Sequence, residues 1–116
     1  MGHVSSILIH PVKDEPGQSL DSVTVSADGL DGDRRKKAPV HLVSASDHVE
    51  QHPRANLVLD LEPGDLLELV GRRLRIGTVE LEVESTARNC PGVYATVPVP
   101  GDLAVGDEVT VGVVGA

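Results

Sequence analysis

A chain of 116 residues with a formal net charge of -8, from 18 acidic and 10 basic side chains, is sized for one domain. It lacks the basic face that general nucleic-acid binding requires. With no Trp, no Phe and one Tyr, it has no aromatic platform for stacking bases. The single Cys excludes an internal disulfide and argues against a secreted, cross-linked domain. No apolar stretch approaches the ~20 residues that span a bilayer, and the N-terminus shows no basic-then-apolar leader pattern. The expectation is a cytoplasmic protein that binds neither nucleic acid nor membrane, with a core of Val, Leu, Ile and Ala.

Strand patterns dominate from the start. Val4 to His10 reads as the first, ended by Pro11. Ser22 to Ala27 alternates Val23, Val25 and Ala27 with small polar residues, the period of a half-buried strand. Ala38 to Val43 and Asn56 to Leu61 follow, the latter apolar on both faces for part of its length. Then come "RLRIG" and "VELEVES". In the latter Val79, Leu81 and Val83 share one face, and Glu80, Glu82 and Glu84 share the other. Asp107 to Val114 closes the series.

Pro-Gly and Asp-Gly pairs punctuate these runs. The tetrapeptide "PGDL" occurs at Pro63 and again at Pro100 and reads as a turn in both places. One stretch reads as a helix of about two turns, "ASDHVEQ", capped by Ser44 or Ser46 and stopped by Pro53. Seven or so short strands with frequent turns and one short helix predict a mainly β domain over residues 1–116, an antiparallel or mixed barrel or sandwich.

Five stretches carry candidate chemistry. Arg34 to Lys37 concentrates four of the ten basic residues behind a Gly-rich approach, either a local anion site or a solvated loop. Lys13 projects from the turn after the first strand, a point charge suited to a phosphate. Arg54 and Asn56 open a strand, where functional residues tend to collect. Cys90 lies in "STARNCPG", a polar, turn-prone segment two residues from Arg88, which favours a thiolate. Free cysteines are also often plain small hydrophobes, so the residues alone leave Cys90 open between a reactive and a passive thiol. His48 and His52 share a helix face at a spacing that can chelate zinc, although no third ligand lies nearby in sequence.

Taken in order, these elements resemble the MOSC domain, the module named after the C-terminal domain of molybdenum cofactor sulfurase. "HPVKDEPGQSLDSVTVSADGLDGDRR" is similar to that family's opening, a "PVK" turn followed by "G-x-S-L", a strand and "GL-x-x-DR". "HLVSASDHVE", "RANLVLDL" and "PGDLLELVGRRLRIGTVELEVES" resemble its next three segments, and Cys90 falls where the family keeps its cysteine. The resemblance covers nearly the whole chain.

It implies a strand-rich barrel and a role in sulfur transfer or in binding molybdenum cofactor, a pterin phosphate that carries the metal. It implies Cys90 as persulfide carrier or molybdenum ligand, and Lys13 and Arg34 as clamps for the anionic end. It extends to Arg54 and Asn56 as further cofactor-binding residues. A cysteine-desulfurase-like donor and a molybdoenzyme acceptor are the implied partners, and pyridoxal phosphate is not expected in this domain alone. Asp14 stands after Lys13 where the family often has Ser or Cys, and Arg35 and Lys36 stand where an aromatic often follows "DR". The rival expectation is a barrel that serves as a non-catalytic interaction module with Cys90 passive. The third is a small zinc protein built on His48 and His52.

Overall fold

Alternation along the chain sets the architecture. The computed structural model describes residues 2–12, 17–34, 38–51, 55–87 and 91–112, with Glu50 and Gln51 described by backbone only. The strands are β1 (Val4–Ile9), β2 (Gln18–Leu20), β3 (Ser22–Ser26), β4 (Gly29–Leu30), β5 (Val40–Ser44), β6 (Leu57–Leu59), β7 (Arg73–Ile76), β8 (Val79–Thr86), β9 (Val93–Val99), β10 (Gly101–Ala104) and β11 (Val109–Val111). Two short helices, α1 (Ala45–Gln51) and α2 (Pro63–Leu67), complete the set.

Eight strands form one sheet in the order β11-β7-β8-β9-β5-β6-β1-β2, and β10-β3-β4 form a second. All pairings are antiparallel except β5 with β6, which are parallel and joined through α1, as a parallel pair requires a crossover. The two sides of the large sheet meet. Val4 N–H donates to Asp107 O at 3.0 Å, Gly106 N–H to Val4 O at 2.8 Å and Val109 N–H to Gly2 O at 3.0 Å, while His3 bridges Glu108. The start of β1 is thereby tied to the approach to β11. The result is a mainly β, barrel-like fold of mixed sheets.

The interior is aliphatic, as the composition demands. Ile7, Leu42, Leu57, Leu74, Ile76 and Leu81 are fully enclosed. Val79, Leu81 and Val83 point inward from β8, while Glu80 and Glu82 are half-buried and Glu84 is exposed. Across β7, Arg73 stands opposite Glu82 and Arg75 opposite Glu80, so the acidic outer face of β8 lies against a basic neighbour. Leu57 and Leu59 enter this core, whereas Val58 joins Val43 and Ala55 in a smaller cluster flanked by Leu8 and Ala45. That second cluster lies beneath α1 and explains why β6 is apolar on both faces.

Several sequence expectations change. The described residues hold two helices, because the first "PGDL" is the helix α2 with Pro63 in its first turn, a position where the missing N–H costs nothing. The second "PGDL" runs into β10, which pairs with β3. In both copies the Leu is buried, Leu66 and Leu103. β9 is seven residues long and contains Pro98, which the sequence pattern does not mark as strand. The register between β8 and β9 shifts between Glu80 and Glu82. Such an irregularity tolerates a residue with no N–H to give. The cap of α1 is Ser44, whose Oγ accepts from Asp47 N–H at 3.2 Å.

Candidate functional site

Four chain segments outside the described residues fall at 13–16, 35–37, 52–54 and 88–90. They contain Lys13, Arg54, Cys90 and three of the four basic residues of the 34–37 cluster. The residues flanking all four are described, and one buried polar network joins them.

The network starts at the end of β1. His10 is 8% exposed. Its backbone N–H donates to Asp33 Oδ1 at 2.7 Å, and its ring Nε2 donates to Ala55 O at 3.1 Å, since a carbonyl can only accept. His10 therefore ties the strand before Lys13 both to the loop before Arg34 and to the residue after Arg54. Its Nδ1 is buried and has no hydrogen-bond partner among the described residues. Gly17, where the chain resumes after 13–16, lies directly over that ring. A Cβ there would sit 2.7 Å from Nδ1, so the "G-x-S-L" glycine is required by close approach rather than by its φ.

Asn56 is the centre. It is 0% exposed. Its amide Nδ2 donates to Asp33 Oδ2 at 2.9 Å and to Leu8 O at 3.3 Å, while Oδ1 accepts from His41 N–H at 3.0 Å. Its backbone N–H donates to His41 O at 2.8 Å, and its carbonyl accepts from Leu8 N–H at 2.7 Å. The short polar side chain at the start of β6 thus stitches β1, β5 and the Asp33 loop together, which is how a buried amide is normally satisfied.

His41 carries the network to the thiol side. It is 6% exposed, its Nε2 donates to Pro91 O at 2.8 Å, and its ring meets Tyr94 edge-on with centroids 5.2 Å apart. Pro91 is bonded directly to Cys90. Ala87 N–H donates to Gly92 O at 3.0 Å, closing the β8–β9 connection around residues 88–91. Gly92 has φ +96°, and any Cβ there would collide with Leu42 O of β5. The Pro-Gly after the cysteine therefore seats this connection against the barrel wall.

Of the expected site residues, Arg34 is exposed and makes no ion pair with any described residue. Asn56 is buried with its amide held by protein groups, which makes it part of the frame of the site. Lys13, Arg54 and Cys90 lie outside the described residues. His48 is described and His52 is not. No group of three His, Cys, Asp or Glu side chains able to hold a metal occurs among the described residues. No helix among them is long and apolar enough to cross a membrane.

Sequence reasoning passed over His10, Asp33 and His41. Asp33 is the acidic member of "GL-x-x-DR" and His10 precedes "PVK". The available signal was a histidine set against apolar neighbours, His10 directly after Ile9 of β1 and His41 between Val40 and Leu42 of β5.

No family model and no curated protein sequence matches this chain. Solved structures do. YuaD from Bacillus subtilis superposes with a TM-score of 0.76 at 16% identity, over 93% of both chains. A hypothetical protein gives 0.78 at 12% identity, over 96% of this chain and 68% of the other. YiiM from Escherichia coli gives 0.72 at 14% identity, over 97% of this chain and 70% of its own. At these identities the likeness shows the fold alone: a barrel-like β domain shared with YuaD and YiiM over nearly the whole of this chain.

Proposed function

We propose that this chain is a MOSC-type protein that handles sulfur or molybdenum cofactor at the end of the fold where a buried network gathers the flanks of these four segments. The observation that supports this reading is the network from His10 through Asp33, Asn56 and His41 to Pro91. It draws together the flanks of the segments holding Lys13, Arg34, Arg54 and Cys90. The fold shared with YuaD and YiiM supports the barrel-like architecture that this reading needs, although fold alone does not fix function.

In this reading Cys90 is the reacting group. As a sulfur carrier, its thiolate attacks the outer sulfur of a donor persulfide, R–S–SH. The donor's S–S bond breaks, a new one forms on Cys90, and the donor leaves as a thiolate. As a metal site, the same thiolate is a soft ligand suited to molybdenum. A pterin phosphate calls for cations, which exposed Arg34 would supply together with Lys13 and Arg54. Bound there, molybdenum cofactor would supply the oxygen- and electron-transfer chemistry. The chain's own residues bind its anionic end and set the position of the thiol. A cysteine desulfurase is the donor by class, and a molybdoenzyme the acceptor.

The test is intact mass spectrometry after incubation with a cysteine desulfurase and cysteine, with molybdopterin binding measured in parallel. A gain of one sulfur on the wild type that disappears in Cys90→Ser supports the carrier. Neither sulfur nor molybdopterin on the wild type leaves the interaction module as the reading.

A further inference from the structure

We infer that Asn56 and Asp33 form a positioning strut that transmits order from the cation-bearing loops to the thiol-bearing loop. Neither is assigned contact with a ligand. The inference rests on the reading of this mouth as the site.

The geometry divides the mouth in two. On one side are the end of β1, with His10, and the loop carrying Asp33 and Arg34. On the other are β5, β9 and Pro91, the residue that follows Cys90 in the chain. Between the sides, the side-chain route runs from His10 N–H to Asp33 Oδ1, from Asp33 Oδ2 to Asn56 Nδ2, from Asn56 Oδ1 to His41 N–H, and from His41 Nε2 to Pro91 O. Along this route each bond runs from a nitrogen donor to an oxygen acceptor, so reversing the polarity of one contact breaks it. Asn56 is fully enclosed and bonded on both sides, the condition under which a side chain fixes geometry rather than follows it.

The polarity supplies the test. Asp33→Asn retains the acceptor for His10 N–H but sets an amide N–H against Asn56 Nδ2, two donors facing each other. Asn56→Asp sets two carboxylates face to face. Combining Asp33→Asn with Asn56→Asp restores one donor and one acceptor at that contact. It keeps an oxygen for His41 N–H and gives up the 3.3 Å bond to Leu8 O.

Native-state amide exchange reads the result. In Asp33→Asn, protection at His41 and Ala87 is expected to fall by about tenfold or more, while Leu74 and Gly112, whose N–H donates to Arg73 O of β7, hold. The alkylation rate of Cys90 by iodoacetamide, an uncharged reagent, should change in step, and the double substitution should return both towards wild type. Uniform loss of protection in Asp33→Asn, or loss confined to His10, overturns the strut, as does failure of the double substitution to restore. Asn56→Ala adds a harsher case, and Asp33→Asn keeps the inference falsifiable if that variant does not fold. Wild-type protein that takes neither sulfur nor molybdopterin yet shows this exchange pattern removes the proposed function and leaves the strut. The opposite pair of results removes the strut alone.

Discussion

His41 Nε2 and Pro91 O, separated by 50 positions in the chain, meet at 2.8 Å. The ring reaches from β5 to the residue bonded to the only cysteine, and its second face is held edge-on by the only tyrosine at 5.2 Å. Pro91 is half-buried, so its carbonyl bears at most the unmet desolvation cost of about 1–3 kcal/mol when it loses its donor.

His41→Ala is accordingly expected to destabilise the protein by roughly 2–4 kcal/mol, combining that cost with a lost ring contact and a cavity. His41→Gln, which keeps an N–H donor at similar reach, should recover part of it. Urea unfolding midpoints at constant m-value measure the difference. Equal losses in the two variants would show that packing alone, and not the bond to Pro91, matters at this position.

Two glycines with nearly the same backbone separate conformational strain from collision. Gly92 has φ +96° with Leu42 O in the path of any Cβ, whereas Gly71 has φ +87° with nothing within 4 Å. Gly71→Ala should cost about 1–2 kcal/mol, the left-handed penalty alone. Gly92→Ala should cost at least about 2 kcal/mol more, because backbone of β5 must shift to admit the methyl group. Thermal melts of the pair check this, and similar costs at both positions would show that the β8–β9 connection adapts freely.

Much of this fold was legible because binary patterning dictates it. Val79, Leu81 and Val83 against Glu80, Glu82 and Glu84 can only be a strand with one wet face, and β8 is that. What escaped the pattern had tertiary causes. Pro98 reads as a strand breaker, yet β9 passes through it where the register with β8 shifts. "PGDL" reads as a turn twice, yet its fate is set by what receives each Leu. β3 offers Gly101–Ala104 a ladder, while no strand pairs with residues 63–67 and they close a helical turn.

The site was legible differently. Its cations and thiol stand out by chemistry, as do the glycines around them. The bonds that gather them run between residues up to 50 apart, and nothing in local sequence announces that Asn56 will point into the protein.

The cap of α1 distinguishes two adjacent serines. Ser44 Oγ accepts from Asp47 N–H at 3.2 Å and stands 3.3 Å from Ser46 Oγ, and Ser44 is fully buried while Ser46 is exposed. Ser44→Ala is expected to cost about 1 kcal/mol or somewhat more, the usual value of a lost N-cap. Ser46→Ala should lie within about 0.5 kcal/mol of wild type. Denaturant unfolding of both variants measures this, and the reverse order would move the cap to Ser46.

The short helix α2 gives the final contrast. Leu66 is 1% exposed and its neighbour Leu67 is 46% exposed, so the helix turns one leucine into the barrel and the next to solvent. Leu66→Ala removes an enclosed side chain from the main cluster and should cost about 2–5 kcal/mol through lost transfer energy and the residual cavity. Leu67→Ala should be within about 0.5 kcal/mol of wild type, with the better helix propensity of Ala working in its favour. Leu103→Ala, the equivalent change in the second "PGDL", belongs with Leu66→Ala because Leu103 is 2% exposed. If "PGDL" were the same surface turn in both places, all three leucines would be equally expendable. Equilibrium unfolding of the three variants would show that as three small and similar losses, whereas the barrel requires two large ones and one negligible.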